Sequence, residues 1–357
     1  MASLHERPRG PFYYINYRDN DAMIRPGMTL PSDITRSLRQ AGWLNNYQEP
    51  GVEVLGGGVS CDIWRVQSKG KSFVVKRALE KLRTEADWHA DPSRNRYEQA
   101  YLRFVAGFLP GAVPQVFHGN PGFFVMEDLA EGWLDWKKHL LAGRVESTLA
   151  RKAGEVLGEI HKQSWGSSDL ARKFATDENF HELRVAPYLL TTAARHPDLS
   201  DRIQEEAARL ASTRRALVHG DFSPKNLMVR EKRMVVLDCE VAWYGDPAFD
   251  VGFLLNHFLL KALHLPQQAE DFLVLVHQTL AGYRDKLGED KASIVLADVP
   301  SLLLCLMLAR VDGKSPVEYL TQLGKQEKIR AFVRRLLPAA PKTIGDVIEA
   351  WSQELSS

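Results

Sequence analysis

Hydrophobic periodicity changes once along this chain, near residues 126–129. Before that point the apolar residues fall in short runs divided by glycine-bearing turns. Val52-Glu53-Val54-Leu55, Asp62 to Val66 and Ser72 to Val75 are three such runs, with Gln67-Ser68-Lys69-Gly70 between the last two. Short runs bounded by turn residues are strand signals, and the tetrapeptide reads as a hairpin. Val113 to Phe117 and Phe123 to Met126 add two predicted strands, and Glu98, Tyr101, Leu102 and Phe104 fit a helix. Beyond Asp128 the pattern turns helical, at Leu149 to Ser164 and around 200–216, 248–263, 268–284 and 294–312. Only Leu217-Val218 and Met234 to Leu237 look β-like there. The expected fold class is therefore α+β and bilobal, with a small, mostly antiparallel β lobe followed by a larger helical one. The predicted division puts an N-terminal arm and the β-rich lobe in residues 1–127 and the helical lobe in residues 128–357.

A chain of 357 residues is long enough for two lobes sharing a cleft. Its 46 basic and 45 acidic residues leave a net charge of +1, which gives no basis for a nucleic-acid partner. The opening MASLHERPRG lacks the apolar centre of a secretory leader. Asp298, Pro300 and Arg310 interrupt the apolar stretch from Ile294 to Val311, so a buried helix is expected there and no membrane partner. Cys61, Cys239 and Cys305 show no paired metal-ligand spacing and suit a reducing cytoplasm, the expected location.

The strongest chemical signal is His219-Gly220-Asp221-Phe222-Ser223-Pro224-Lys225-Asn226, followed by a strand and Leu237-Asp238-Cys239-Glu240. On these residues the chain resembles the aminoglycoside phosphotransferase and choline kinase superfamily, relatives of the protein kinases, over roughly residues 50–260. The resemblance implies a protein-kinase-like fold and a kinase that uses ATP and Mg²⁺ to phosphorylate a small-molecule hydroxyl. Asp221 and Asn226 keep the spacing of base and metal ligand in the kinase catalytic loop. Asp221 is then the base, Asn226 offers an amide oxygen to Mg²⁺, and Asp238 supplies the metal carboxylate. Cys239-Glu240 replaces the Phe-Gly that follows this Asp in protein kinases, and Glu240 is a candidate for a metal-bound water or a second ion. His219 and Asp250 are implied as structural residues bracing the loop, and Asp246-Pro247 as a cap for the next helix.

The nucleotide-binding half agrees. Gly56-Gly57-Gly58-Val59-Ser60 lies between predicted strands, where glycines let backbone N–H groups approach phosphates and Ser60 adds a hydroxyl. It lacks the Gly-Lys-Ser/Thr ending of a Walker A loop, and a hairpin follows it rather than a β–α crossover. Lys76 closes the third strand and would bind the α- and β-phosphates while pairing with Glu98. Phe124-Val125-Met126-Glu127-Asp128-Leu129 resembles the link between kinase lobes. Backbone groups at Glu127 and Leu129 would read the adenine edge, with Met126 bordering the pocket.

Acceptor choice is expected in the helical lobe, above all at Phe180-His181-Glu182-Leu183-Arg184-Val185-Ala186-Pro187-Tyr188. With Leu157-Gly158-Glu159-Ile160-His161 this stretch faintly resembles methylthioribose kinases, although Asn226 follows the broader phosphotransferase pattern. The carboxylates near the C-terminus, Glu318, Asp346 and Glu349, are offset by Arg330, Arg334 and Arg335, so no acidic signature for a polycationic antibiotic stands out. A methylthioribose kinase-like activity and a catalytically weak nucleotide-binding pseudokinase are the alternatives. The sequence assigns no oligomeric state.

Overall fold

The computed structural model describes residues 29–56, 60–83, 91–129 and 132–356. Helix α1 (Ser32–Gln40) precedes strands β1 (Gly51–Val54), β2 (Cys61–Ser68) and β3 (Lys71–Ala78). β2 and β3 join through Lys69 and Gly70, whose φ angles of 52° and 69° are both left-handed. That combination is what a two-residue type I′ hairpin requires. Helix α2 (Arg94–Ala106), β4 (Val116–Gly119) and β5 (Phe124–Glu127) complete the small lobe, an antiparallel sheet in the order β1-β2-β3-β5-β4.

Strand alternation decides what this sheet offers to each side. Trp64 and Val66 of β2, with Phe73 and Val75 of β3, pack on Ile34 and Leu38 of α1. The opposite set, Cys61, Ile63, Val74 and Ala78, packs with Leu55 and Met126. Lys76 lies between Val74 and Ala78 and is registered opposite Ile63, so it emerges on this second face, toward the other lobe.

The large lobe begins with β6 (Leu134–Asp135), α3 (Trp136–Leu141), α4 (Ser147–Ser164), α5 (Ser168–Lys173) and α6 (Asp177–Phe180). A ten-residue π-helix, His181–Leu190, then leads into α7 (Thr191–Arg195) and α8 (Ser200–Ser212). Strands β7 (Ala216–Val218), β8 (Leu227–Arg230), β9 (Arg233–Val236) and β10 (Trp243–Gly245) carry the segment from His219 to Asp238 in two small sheets, β10-β7 and β6-β8-β9. Helices α9 (Ala248–His264), α10 (Ala269–Leu287), α11 (Glu289–Ala297), α12 (Val299–Asp312), α13 (Leu323–Leu336) and α14 (Ile344–Ser356) complete the lobe.

Helices α4 and α10 meet backbone to backbone. A Cβ on Gly154 would sit 2.0 Å from the Thr279 carbonyl oxygen, and one on Gly282 would sit 2.2 Å from that of Arg151. The single helix expected over 294–312 is two, α11 and α12, bent by 49°. Pro300 has no N–H to continue the earlier helix but fits the first turn of a new one. Residues Leu302 to Ala309 are fully buried. No single helix among the described residues is long and apolar enough to cross a membrane.

Candidate active site

Between the lobes lies a cavity of about 500 Å³. Leu55, Ile63, Val74 and Met126 line it from the small lobe, and Met228 and Leu237 from the large one. Glu127, Asp128 and Leu129 border it where the chain passes between lobes, and Lys76, Glu98, Asn226 and Asp238 give it a polar region. Flat apolar walls with a few convergent polar groups are the usual make-up of a ligand site.

Lys76 is fixed from both lobes. Its Nζ lies 2.7 Å from Glu98 Oε1 and 2.7 Å from Asp238 Oδ1. Lys76 and Glu98 are both 2% exposed. Burial opposes the lysine's charge, but Asp238 and Glu98 outweigh it and raise its pKa well above the usual lysine value. Burial is also what pushes the Glu98 carboxyl up, to about 7. Asp238 moves the other way: burial would raise it, but Lys76 and Lys225 hold it low, as a carboxylate. Its backbone is left-handed, with φ 62°, a conformation uncommon for a residue with a side chain.

The loop from His219 to Asn226 hangs from Asp250 in the first turn of α9. Asp250 Oδ2 accepts the His219 N–H at 2.7 Å, and Oδ1 accepts the Gly220 N–H at 2.9 Å. Gly220 has φ +79°, and a Cβ there would meet the Val241 carbonyl oxygen at 2.7 Å, so the turn needs glycine. His219 Nδ1 accepts the Asp221 N–H at 3.1 Å, which leaves Nε2 as the protonated nitrogen, donating to the Leu237 carbonyl at 3.1 Å. Both ring nitrogens are thus occupied, and burial lowers the imidazole pKa, so this histidine stays neutral and ties the loop to the end of β9.

Asp221 is 5% exposed and is flanked by two cations. Lys225 Nζ lies 2.9 Å and an Arg184 guanidinium nitrogen 3.1 Å from its Oδ2. Burial would raise the Asp221 pKa, yet Lys225 and Arg184 bring it below the ordinary aspartate value. Asn226 donates its amide nitrogen to the Asp221 carbonyl at 3.0 Å, leaving the amide oxygen as its atom for a ligand. Asn226 and Asp238 both line the cavity, and their oxygens suit a hard divalent cation such as Mg²⁺.

Glu240 has different company from what its position suggested. Its Oε2 accepts from Arg94 Nε at 3.0 Å and from Cys61 Sγ at 3.2 Å. Arg94 also donates to the Ser60 carbonyl at 2.7 Å and to the Leu79 carbonyl. Glu240 therefore anchors the segment after the glycines and the start of α2 to the large lobe. Cys61, Asp238 and Glu240 bring one ligand atom each within 4.8 Å of one another. Burial, with Glu240 beside it, pushes the Cys61 thiol up and keeps it protonated, a poor donor for a hard cation.

Sequence spacing overlooked Arg94, although it precedes Glu98 by four residues on α2. It also overlooked Asp128, whose Oδ2 accepts from Arg65 Nε at 2.8 Å and Ser72 Oγ at 2.7 Å. Arg184 comes to Asp221, while His181 is exposed. Asp246 Oδ1 accepts the Ala248 N–H at 3.0 Å, and the same side chain pairs with Arg209. Gly56 and Ser60 flank the glycine segment; Gly57 and Gly58 lie outside the described residues.

The profile of the phosphotransferase enzyme family matches residues 51–285. This chain belongs to that family. The matched span contains every one of these site residues, from Gly56 to Asp250. Among curated proteins, the methylthioribose kinase of Geobacillus sp. (strain WCH70) is 28% identical over 250 residues, covering 61% of this chain and 62% of that protein. The methylthioribose kinase of Pectobacterium atrosepticum is 26% identical, with 66% of each protein covered. The chain thus spans just under two thirds of the length of these relatives. The solved amicoumacin kinase hAmiN, in complex with AMP-PNP, Ca²⁺ and Ami, superposes with a TM-score of 0.54 at 15% identity, over 87% of this chain and 95% of that one. The likeness extends the shared fold over most of both chains.

Proposed function

We propose that this chain transfers the γ-phosphoryl group of ATP to a hydroxyl of a small molecule. The observation that carries the reading is the Lys76 ammonium, bridging Glu98 and Asp238 at 2.7 Å each beside Asn226 in the interlobe cavity. The segment up to residue 127 would hold the nucleotide, and the chain from residue 128 the catalytic and acceptor side. Adenine would lie between the apolar walls, its edge read by backbone groups at Glu127 and Leu129, with Met126 beside it. Gly56, Gly57, Gly58 and Ser60 would cover the phosphates.

Lys76 would hold the α- and β-phosphates, kept in register by Glu98. Mg²⁺ held by Asn226 and Asp238 would neutralise charge on the phosphate oxygens. Asp221 would accept a hydrogen bond from the acceptor hydroxyl. As that oxygen bonds to the γ-phosphorus and the bond to the bridging oxygen breaks, the hydroxyl proton passes to Asp221. Lys225 and Arg184 keep Asp221 ionised and ready for this. Its lowered pKa makes it a weak base, which suits a loose transition state where the hydroxyl needs aiming before it needs deprotonation. The complete set of Lys76, Glu98, Asp221, Asn226 and Asp238 speaks against a pseudokinase. Methylthioribose is a second reading of the acceptor, supported by the curated relatives.

A screen of small hydroxyl compounds with radiolabelled ATP tests the reaction; label only in added protein would refute the small-molecule acceptor. With an acceptor in hand, Asp221→Asn is expected to lower kcat by about 10²–10⁴-fold while nucleotide affinity stays within a few-fold. Asp238→Asn is expected to lose Mg²⁺-dependent nucleotide binding as well. Near-wild-type turnover by the Asp221 variant would remove it from the proposed role.

A further inference from the structure

Two cations meet Asp221, and their surroundings differ. Arg184, from the π-helix, is sealed: its side chain is 10% exposed, and it also donates to the Gly220 and Leu183 carbonyls. Lys225 sits four residues after Asp221 with its Nζ 2.9 Å from Asp221 Oδ2, yet 48% of its side-chain surface stays open. Among the described residues, Asp221 is the one side chain in ion-pair contact with it. An ammonium carries three N–H donors, so this contact leaves donors to spare.

Lys225 lines the interlobe cavity together with Asn226 and Asp238, whereas Arg184 does not. Its charge also acts on Asp238, where it joins Lys76 in holding the carboxyl low. Lys225 is therefore no surplus charge, since two carboxylates share it, and its position decides what it can do. It touches the residue that would receive the acceptor hydroxyl and acts on the carboxylate that would hold the metal. A transferring phosphoryl group has to pass between those two. The other cavity-lining lysine, Lys76, is already pinned between Glu98 and Asp238 at 2.7 Å each. The remaining basic residues on the cavity wall, Lys138, His139 and Arg144, belong to α3 and the turn after it, and His139 pairs there with Glu146.

We infer that Lys225 is a further catalytic residue, its ammonium bridging Asp221 and the γ-phosphoryl oxygens of the bound nucleotide. This rests on the phosphotransferase reading, in which Lys76 attends the α- and β-phosphates and the γ-oxygens facing the acceptor are left to Lys225. As the acceptor oxygen bonds to the γ-phosphorus, the bond to the bridging oxygen breaks and ADP leaves with that electron pair. The hydroxyl proton passes to Asp221, and Lys225 stays protonated throughout. A fixed cation aimed at the moving group stabilises it without reorganising at the moment of transfer. Because the same ammonium holds Asp221, it also aligns the hydroxyl with the phosphorus.

Calorimetry with AMP-PNP and with ADP, each with Mg²⁺, tests this without an acceptor, because only the first carries a γ-phosphoryl group. Wild type is expected to bind AMP-PNP more tightly than ADP. Lys225→Met is expected to weaken AMP-PNP about tenfold or more and to leave ADP affinity unchanged. Lys225→Arg keeps the charge and is expected to retain most of the preference. With an acceptor in hand, the Met variant is expected to lose about 10²–10³-fold in kcat while the acceptor KM stays near that of wild type.

If Lys225 serves only to keep Asp221 ionised, the Met variant binds both nucleotides as wild type does. That result, an equal loss for ADP and AMP-PNP, or a wild type with no preference between them would overturn the inference and leave the phosphotransferase reading standing. Folded wild-type protein that binds neither nucleotide would instead remove that reading, and the inference with it.

Discussion

Replacing Asp250 by Asn leaves the shape of the side chain nearly intact and removes one hydrogen-bond acceptor. In the native protein each carboxylate oxygen takes a backbone N–H, from His219 at 2.7 Å and Gly220 at 2.9 Å, and the residue is fully buried. The amide oxygen of Asn can keep one of these. Its NH₂ must then face the other N–H, donor against donor. Leaving a buried donor unsatisfied costs about 1–3 kcal/mol, and the retained bond loses its charge assistance, worth roughly another 1 kcal/mol. The sum, about 2–4 kcal/mol, is a large part of the stability of an ordinary domain. Urea unfolding of both proteins measures it as a lower midpoint at unchanged slope. Because the two N–H groups belong to the residues just before Asp221, folded variant protein is expected to lose phosphoryl transfer by at least tenfold while nucleotide affinity changes little. A stability loss under about 0.5 kcal/mol with full activity would refute the claim that Asp250 suspends the catalytic loop.

Other expectations follow from the same geometry. Since burial lifts the Glu98 pKa to about 7, acidification below that value protonates Glu98 and weakens its hold on Lys76. Activity should fall there, and Glu98→Gln should lack that limb of the pH profile; an unchanged limb in the variant would refute the assignment. The sign for stability is opposite. A carboxyl whose pKa is raised in the folded state takes up its proton more readily there, so its own contribution to stability increases as pH falls from about 7 to about 4.5. Comparing the unfolding midpoints of wild type and Glu98→Gln across that window isolates this contribution. Gly282→Ala should lower stability by about 1–3 kcal/mol through overpacking of α4 against α10, read by thermal or urea unfolding. A neutral result would mean that the two helices separate easily.

The sequence by itself determined the order of the architecture and the order of the chemistry. Strand runs ahead of Met126 and helical runs after it specify an α+β bilobal chain, because hydrophobic period is a local property that each segment carries alone. The type I′ turn at Lys69-Gly70 and the glycine at 220 are local in the same sense, set by which residues accept a positive φ. The fixed spacing of Asp221 and Asn226, with Asp238 one strand later, was legible because a single loop and hairpin carry them. Three short strands, β6, β8 and β10, were not, being two to four residues long, and β6 and β10 exist only by pairing with the distant β8 and β7.

Only the tertiary structure decided what each charged group faces. Glu240 is 146 residues from Arg94 and 179 from Cys61, so nothing in its own neighbourhood shows that it joins the lobes. Arg184 meets Asp221 from the π-helix over residues 181–190, a stretch to which hydrophobic period alone assigned no element. Lys261 is one charged letter within the apolar run of α9, and packing seals it beside Tyr319 with no carboxylate within ion-pair distance among the described residues. The physical reason is range. Periodicity and turn chemistry act over a few residues, while burial and electrostatics depend on which distant segments are folded against one another.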